Sequence, residues 1–562
     1  MTTALQVGTV VAVLGALVAH YGELHWDNNG VKGAAAAWFA ATAIVFAALT
    51  VDNGTLRKKT GVIHVRSSSH KSDGEGGMPP PRLILGTSPP QTLNVFRRIG
   101  RMAENPFVNA TTILTLWQRA KLAVGITTLL PLRLPLLLLG FLGMIGFARI
   151  SAIGLSEEDL RKKPMTGFRA RIRSLAYPSF RLGMFGLGIV YVRSSGTRVG
   201  REEASIIVPN HSTMLDMIVG CVYGACGVSK IENARIPLVG HAFRALQMVL
   251  VDRSSSASRE DTKKVIQRRA TEDGWPQTVI FAEGTCTNRS SICSFKAGAF
   301  AAAVPVQPVA IRYTTADSMD PSLVRAGPQL GRLAIRLMAT MHTGVHLTYL
   351  PVVAPEKDAK VFAEKVRRVI AEELGLRSTQ FAFGDVQLMT RASKKLRMPC
   401  VDVPIEFNAV RNVLGGLTVR VSLRLLETFA KIGAGRKNGS IRVKDLCSFL
   451  EDSGLETDEI QRLFMLMDEH GKGKVCLRQF IVFCFLLSLD PNSATPANVG
   501  DARAIVAGVF PGADAKDVAA RLGAGTVKKG SRKGQGEETE MALMVARHLA
   551  KLLSGDALET TF

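Results

Sequence analysis

The chain has 562 residues, a formal net charge of +23, a sequence pI of about 9.9 and a mean hydropathy of +0.16. This length predicts roughly two to four domains, and the basic, slightly hydrophobic balance favours anionic membrane surfaces or phosphate-bearing ligands. Nucleic acid is disfavoured as a partner, because the sequence has no zinc-finger spacing, RNP pattern or basic stripe interleaved with aromatic residues. The eight cysteines include no CxxC pair, which indicates reduced thiols in a reducing compartment.

Residues 1–51 contain two apolar runs of nearly membrane-spanning length, 4–20 and 33–51, and we predict two transmembrane helices there. A cleaved signal peptide is the alternative for the first run, although this run has no Lys or Arg in its amino-terminal region. Residues 52–105 are rich in Ser, Gly, Pro and basic side chains, and they predict a disordered linker. The positive charge of this linker predicts a cytosolic location for it.

Residues 106–155 contain a third apolar stretch, Leu122 to Ile150, which carries Pro131, Arg133 and Pro135 near its middle. One straight span buries Arg133 near the bilayer centre, at a cost of about 2.5–3.5 kcal/mol on insertion scales. Two short helices bent at the prolines place this arginine at a kink or an interface instead. We therefore predict a re-entrant membrane hairpin, with a single kinked span as the alternative.

Residues 156–385 alternate short apolar runs with helical stretches such as Arg259–Thr271, which predicts an α/β domain with a mixed sheet flanked by helices. The predicted strands are Ile206–Val208, Met248–Val251, Thr278–Phe281, Val304–Tyr313 and His346–Val352. Polar motifs follow where several of these strands end, which is the usual place for ligands in open α/β sheets.

His211 and Asp216 come directly after the first of these strands, which Pro209 and Asn210 end. A neutral histidine accepts a proton near pH 7 and a carboxylate fixes its tautomer, so the pair predicts an oriented general base. At about 100° per residue, five positions on a helix place two side chains roughly 140° apart. The pair therefore meets only if His211 lies in the loop before the helix. The alternative is a helix cap with a solvent-facing histidine.

Three later segments have the order and spacing to join this pair in one site. They are Val249 to Arg253, Phe281 to Asn288 and Val304 to Pro308. Cys286 and Ser212 are alternative nucleophiles for a covalent route, although nothing in the sequence marks Cys286 as activated. No second His-rich group accompanies His211, so we predict no metal site.

At these residues the chain resembles the glycerophospholipid acyltransferases with an H-x4-D motif and an E-G-T motif, and among them the lysophosphatidylcholine acyltransferases. Longer runs carry the resemblance beyond the short motifs: Pro106 to Arg133, Glu232 to Gly240, Phe281 to Ser290, Phe295 to Phe300 and Val304 to Pro308. It covers about residues 106–380 and is looser beyond. One departure is Ala282, which stands where the family usually has proline; proline sets backbone geometry, so the departure affects rigidity rather than chemistry.

The resemblance implies a role for each motif residue. His211 is expected to deprotonate the acceptor hydroxyl, and Asp216 is expected to orient His211. Arg253 is expected to bind the acceptor phosphate through a charge-assisted hydrogen bond. The remaining residues expected to bind or shape the acceptor site are Glu283, Gly284 and Thr285, with Asn210 and Lys296 nearby.

Residues 404–490 predict a pair of EF-hand-like units, because Gly439 and Gly473 fall at loop position six and Ile441 and Val475 at position eight. Residues without calcium-ligating oxygens, or without the expected carboxylate, occupy most ligand positions: Ala434 and Arg436 in the first loop, and His470, Lys472, Lys474 and Gln479 in the second. Related acyltransferases of this family carry EF-hands here, so the resemblance implies the domain. We predict a structural module in which calcium binding is doubtful.

Residues 491–562 predict a loop-rich linker over 491–537 and then an amphipathic C-terminal helix. The apolar side chains of this helix are Met541, Met544, Val545, Leu549 and Leu552. Three partners are open for it: the protein itself, the membrane, or a second subunit in a homodimer.

The resemblance implies transfer of an acyl chain from acyl-CoA, a co-substrate, to the free hydroxyl of a lysophospholipid, most simply lysophosphatidylcholine. No further cofactor is expected. The alternatives are lysophosphatidic acid or another lysolipid as the acceptor, and a catalytically silent membrane scaffold from a different functional class. The expected location is the endoplasmic reticulum membrane with the catalytic domain in the cytosol, and the lipid droplet surface is an alternative.

Overall fold

The computed structural model describes residues 104–109, 111, 114–252, 256–316, 319–414, 417–433, 439–488, 496–511, 513, 515–521, 545–551 and 553. Two compact units divide the chain between residues 383 and 384. We call residues 106–383 the catalytic unit and the part from Gly384 onward the C-terminal unit. The two helices predicted within 1–51 and nearly all of the predicted linker 52–105 lie outside the described residues.

The catalytic unit begins with one long apolar helix, α1 (Leu116–Ser151). Thr115 starts it with a reciprocal cap, in which its hydroxyl accepts from the Gln118 backbone N–H and the Gln118 side chain accepts from the Thr115 N–H. Among the described residues, α1 is the helix long and apolar enough to cross a membrane, judged by length and composition alone. Many of its leucines are exposed, including Leu132 and Leu139.

Helix α1 corrects the predicted hairpin, because it continues through Pro131 and Pro135 without a break. Arg133, between the prolines, is buried and donates hydrogen bonds to the carbonyl oxygens of Met338, Thr340 and Met341 at 2.8, 2.6 and 2.7 Å. These carbonyls lie at the C-terminal end of a helix over Leu330–Ala339, where the helix dipole favours a cation. These three carbonyl oxygens thus solvate the Arg133 charge, whose burial was the argument against a single helix.

A seven-stranded sheet forms the centre of the catalytic unit, with the strand order β1-β8-β7-β2-β5-β3-β4. The strands are β1 (Ile189–Gly196), β2 (Ile206–Pro209), β3 (Cys226–Lys230), β4 (Val249–Val251), β5 (Thr278–Val279), β7 (Val306–Thr315) and β8 (Thr343–Tyr349). A separate two-stranded sheet pairs β6 (Ser291–Ile292) with β9 (Arg377–Ser378). Among the described residues of the seven-stranded sheet, β7 and β8 pair antiparallel and the other neighbouring strands pair parallel. The predicted mixed sheet is therefore confirmed.

Helices cover both faces of this sheet. They are α2 (Glu157–Lys162), α3 (Gly167–Ser174), α4 (Ala176–Gly186), α5 (Ile218–Tyr223), α6 (Val239–Ala245), α7 (Ser256–Thr271), α8 (Leu330–Ala339) and α9 (Ala359–Leu374). Strand β2 shows the arrangement, since Ile206 and Val208 pack into one core cluster and Ile207 into the other. This double burial explains why β2 reads as a continuous apolar run.

Two strands of the seven-stranded sheet, β1 and β3, were not predicted from the sequence, and neither were the two-residue strands β6 and β9. Strand β1 lies at the sheet edge and is mostly exposed over its second half, so it lacks the apolar run that marks a buried strand. Strand β3 has the sequence Cys-Gly-Val-Ser-Lys, which is too short and polar to stand out. The five predicted strands are present, with β5 shorter and β8 beginning earlier than expected.

The C-terminal unit contains two helix–loop–helix pairs. Its helices are α10 (Phe383–Lys395), α11 (Val403–Leu414), α12 (Val419–Ile432), α13 (Val443–Phe449), α14 (Thr457–Met467), α15 (Leu477–Leu487), α16 (Pro496–Val509) and α17 (Ala515–Arg521). A short antiparallel sheet joins the two loops through β10 (Ser440–Ile441) and β11 (Val475–Cys476), with Ile441 opposite Val475. Those are the two residues that the sequence placed at position eight.

One hydrophobic cluster runs through the C-terminal unit from Leu388 to Leu553. Helices α16 and α17 correct the expectation of a loop-rich linker over 491–537, because Ile505 and Val509 of α16 pack into this cluster. Of the predicted terminal helix, residues 545–551 are helical, and Val545 and Leu549 are buried in the same cluster. Met541, Met544 and Leu552 lie outside the described residues.

Candidate active site

The loop after β2 brings His211 and Asp216 together. Asp216 Oδ2 lies 2.8 Å from His211 Nδ1 and also accepts the backbone N–H groups of Ser212 and Thr213 at 2.6 and 2.9 Å. A 3₁₀ turn at Met214–Met217 carries Asp216 back toward the loop. His211 therefore precedes the helical segment, which is the geometry that the spacing of the two residues requires.

Asp216 is completely buried, whereas the His211 side chain keeps 22% of its surface exposed. Because the carboxylate holds Nδ1, the Nε2 atom is the nitrogen left for chemistry. Burial by itself lowers the pKa of His211, but the neighbouring Cys286 and the hydrogen-bonded Asp216 outweigh it and raise that pKa well above its ordinary value.

Tyr313 of β7 holds the other carboxylate oxygen. Its phenolic hydroxyl donates to Asp216 Oδ1 at 2.5 Å, and its side chain is buried among apolar residues. Burial and the Asp216 charge raise the pKa of Tyr313 well above its ordinary value, so the phenol stays protonated as a donor. Tyr313 is a site residue that the sequence motifs did not predict.

Glu283 holds the loop after β2 that carries His211, which we call the histidine loop. Its carboxylate accepts the backbone N–H of His211 at 2.8 Å through Oε1 and that of Cys293 at 3.0 Å through Oε2. The residue is completely buried, and burial raises its pKa to about 7 against the lowering effect of the two N–H groups. Glu283 therefore ties the loop after β5 to the loop after β2.

Two further side chains from the loop after β5 surround the imidazole. The ring of Phe281 stacks on that of His211, with centroids 4.3 Å apart and planes inclined by 27°. Cys286 Sγ lies 3.4 Å from His211 Nε2, on the side opposite Asp216. A residue that the sequence raised only as an alternative nucleophile thus contacts the reactive nitrogen directly.

Asn210, predicted near the acceptor, faces the sheet. Its side-chain amide donates to the Ile311 carbonyl at 3.2 Å and its oxygen accepts the Ile311 N–H at 2.7 Å. The side chain is buried and extends the β2–β7 pairing by one step. This geometry indicates a positioning role for Asn210, and its predicted contact with the acceptor stays a prediction.

The E-G-T turn lies beside these groups. Gly284 has a positive φ of 65°, and a Cβ atom there would lie 2.7 Å from Lys296 Nζ, so glycine permits this close approach. Lys296 is exposed, and Thr285 is half-buried. Arg253, the expected phosphate ligand, lies outside the described residues.

A signal for Tyr313 exists in the sequence, but only once the strand pairing is known. Val309, Ile311 and Tyr313 alternate along β7 and therefore share one face, on which the first two are buried. A tyrosine continuing a buried apolar row needs a partner for its hydroxyl. Parallel pairing of β2 with β7 brings that partner, Asp216, to the same edge of the sheet.

The arrangement is an oriented, partly exposed imidazole whose Nδ1 is hydrogen-bonded to a buried carboxylate. Such a pair abstracts a proton from a hydroxyl and returns it to a leaving group. The acyltransferase family model matches residues 191–312, which contain every motif residue of this site. The fold and site are thus those of an acyltransferase.

Three relatives extend this likeness across most of the chain. Lysophosphatidylcholine acyltransferase from Drosophila melanogaster is 32% identical over 396 residues, covering 69% of this chain and 73% of that protein. Lysophosphatidylcholine acyltransferase 2 from Danio rerio is 34% identical, covering 74% and 78%, and that from Homo sapiens is 32% identical, covering 69% and 71%. The chain belongs to the lysophosphatidylcholine acyltransferase family.

Among solved structures, the crystal structure of the 1-acyl-sn-glycerophosphate acyltransferase PlsC from Thermotoga maritima is similar to this chain. The sequences are 20% identical and the TM-score is 0.31, covering 44% of this chain and 97% of PlsC. A similarity at this level supports no argument about the acceptor.

Proposed function

We propose that the protein transfers an acyl chain from acyl-CoA to the free hydroxyl of lysophosphatidylcholine. The observation that carries the proposal is the 2.8 Å contact between His211 Nδ1 and Asp216 Oδ2, which leaves Nε2 as the nitrogen that can accept a proton. The choline headgroup comes to the proposal from the names of the relatives.

In the proposed reaction, His211 Nε2 takes the proton of the acceptor hydroxyl, and the oxygen attacks the thioester carbonyl of acyl-CoA. Asp216 keeps Nδ1 protonated and stabilises the imidazolium that forms. When the tetrahedral intermediate collapses, the sulfur of coenzyme A leaves and takes the proton from His211. The products are phosphatidylcholine and free coenzyme A, and His211 is neutral again.

The acceptor phosphate requires a cation near the base. Arg253 has that role by motif match, and Lys296 is a second candidate because its ammonium group lies over Gly284 in the E-G-T turn. Glu283, by contrast, spends both carboxylate oxygens on backbone N–H groups, so we assign it to the support of the loop.

We also propose that the protein works at the endoplasmic reticulum membrane with its catalytic unit in the cytosol. The net charge of +23 and the long apolar helix α1 support a membrane location with anionic lipid. The same proposal takes acyl-CoA as the co-substrate and a homodimer as the assembly, with the lipid droplet surface as the alternative location. Microscopy of a tagged chain together with protease protection tests the location and the orientation.

The reaction is tested with the purified full chain in detergent micelles, one acyl-CoA, and lysophospholipids that differ only in headgroup. We expect choline preference in the wild type and a loss of roughly 10²–10⁴-fold in His211→Ala and Asp216→Asn. His241→Ala, which changes an exposed histidine on α6, is the matched control and should retain activity.

Each other outcome of this experiment has a distinct meaning. Preference for the acceptor with a bare phosphate keeps the mechanism and replaces the substrate by lysophosphatidic acid. Full activity in His211→Ala removes the role of general base. No transfer to any acceptor favours the silent scaffold.

A further inference from the structure

The carboxylate that orients His211 is itself held by a residue outside the motifs. We infer that Tyr313 is a positioning residue of the acyl transfer, which fixes Asp216 and tunes the basicity of His211. This inference rests on the proposed function, because it assigns a role within the same reaction. Tyr313 lies one residue beyond the segment that the family model matches.

The two oxygens of Asp216 have different partners. Oδ2 accepts from His211 Nδ1 and from the backbone N–H groups of Ser212 and Thr213. Within the described residues, the Tyr313 hydroxyl is the hydrogen-bond donor to Oδ1, at 2.5 Å. Because Asp216 is fully buried, bulk water does not reach its carboxylate in this structure, and the phenol is the group that satisfies Oδ1. The phenol thus sets both the rotation of the carboxylate and the share of its charge that Oδ1 carries.

This division of charge reaches the reacting nitrogen. A donor at Oδ1 draws negative charge away from Oδ2, and the imidazolium is held less tightly as a result. When the donor is removed, more charge faces His211 and the protonated form of His211 is favoured. Removal of the phenol therefore raises the pKa of His211. The acid limb of the pH–rate profile, in which the rate rises as His211 loses its proton, moves to higher pH.

Other charged and titratable groups also face the pair, and Tyr313→Phe substitutes none of them. The loop after β5 supplies Glu283, Cys286 and Arg289, of which Arg289 is paired with Asp320 at 3.2 Å. Strand β7 supplies Tyr313 alone among these groups. A shift of the acid limb in Tyr313→Phe is therefore attributable to the lost hydrogen bond.

The test measures kcat and KM of the full chain across the pH range in which the rate rises, for wild type, Tyr313→Phe and Tyr223→Phe. Tyr223 is the matched control, since its hydroxyl donates to Gln307 at 2.7 Å, away from the histidine. For Tyr313→Phe we expect kcat to fall about tenfold, KM to stay within about twofold, and the acid limb to move up by about half to one pH unit. Tyr223→Phe should leave the limb in place.

A second substitution tests the same inference if the phenylalanine variant fails to fold. A fluorinated tyrosine at position 313 keeps the shape and donates more strongly, so it should move the acid limb to lower pH. An unshifted limb in both proteins, or an equal shift in Tyr223→Phe, overturns the inference. An active wild type with an unshifted Tyr313→Phe removes the inference alone, whereas an inactive wild type removes the proposed function and the inference with it.

Discussion

The loop after β2 and the second loop of the C-terminal unit are both turns shaped by a buried aspartate. In the first, Asp216 accepts two backbone N–H groups and still presents His211 at 2.8 Å. In the second, Asp468 accepts the N–H of Gly473 at 2.6 Å, and Gly473 has the positive φ of 64° that the turn needs. In each loop, an aspartate carboxylate thus holds the backbone in a turn of the kind that can present side chains to a ligand.

The side chains of the two loops differ. The loop after β2 has an acid–base pair, while the second EF-hand-like loop has His470 and Lys472 at positions where calcium requires oxygen ligands. Gln479, at the position of the bidentate glutamate, accepts the Cys476 N–H at 2.8 Å. Apolar packing and the β10–β11 pairing contribute to holding this loop. The two loops thus share a backbone turn on a buried aspartate and differ in the side chains that the turn presents.

Among the substitutions that test how these two loops are held, Glu283→Ala is expected to have the largest effect on stability. Glu283→Ala leaves the buried N–H groups of His211 and Cys293 without their acceptor, which should destabilise the catalytic unit by about 2–4 kcal/mol. Transfer activity should fall as well, because the histidine loop loses its support. Thermal unfolding in detergent and the transfer assay measure both effects.

The matched control for Glu283→Ala is Glu356→Ala, which removes a half-exposed carboxylate paired with Lys365. Such surface pairs contribute about 0–1 kcal/mol, so little change is expected. If Glu283→Ala unfolds like the control but no longer binds the acceptor, Glu283 is a substrate ligand and not a support.

A moderate effect is expected at Cys286. Because the acceptor hydroxyl is the proposed nucleophile, Cys286→Ser should slow transfer by less than about tenfold. A methanethiosulfonate reagent should inhibit the wild type by covering His211 Nε2, which lies 3.4 Å from the thiol, and Cys286→Ser should resist it. Activity before and after the reagent, with reversal by dithiothreitol, is the measurement.

Cys221→Ser is the control for the thiol experiment. Burial raises the pKa of Cys221 to about 12, so this thiol is unreactive at neutral pH and its removal should not alter the inhibition. Complete loss of transfer in Cys286→Ser, with an acyl chain recovered on Cys286 of the wild type, would establish the covalent route instead.

The smallest effect is expected for calcium. We propose that the second EF-hand-like loop does not bind it, so the Tm of the C-terminal unit within the full chain should change by less than about 1 °C between chelator and millimolar calcium. His470→Asp, Lys472→Asp and Gln479→Glu together restore oxygen ligands on the retained turn. Calcium should raise the Tm of this triple variant. A calcium-dependent rise in the wild type would contradict the proposal.

Local sequence was sufficient for features that neighbouring residues determine. The apolar run of β2, the helix angle between His211 and Asp216, and the glycine at position six of each EF-hand-like loop all depend on a few adjacent positions. Position eight was equally local, and the observed pairing of Ile441 with Val475 agrees with it. Half-exposed β1 and polar β3 carried too little pattern to be recognised.

Tertiary structure decided the features that depend on distant partners. Arg133 can lie inside one continuous helix because three carbonyls more than 200 positions away solvate it. Tyr313 reaches Asp216, 97 positions earlier, because β2 and β7 run parallel and side by side. The sequence by itself thus determined the family, the mixed sheet and the histidine loop. Strand register and helix packing decided which residues support the site. Both bring together residues that are far apart in the sequence and follow no periodic pattern.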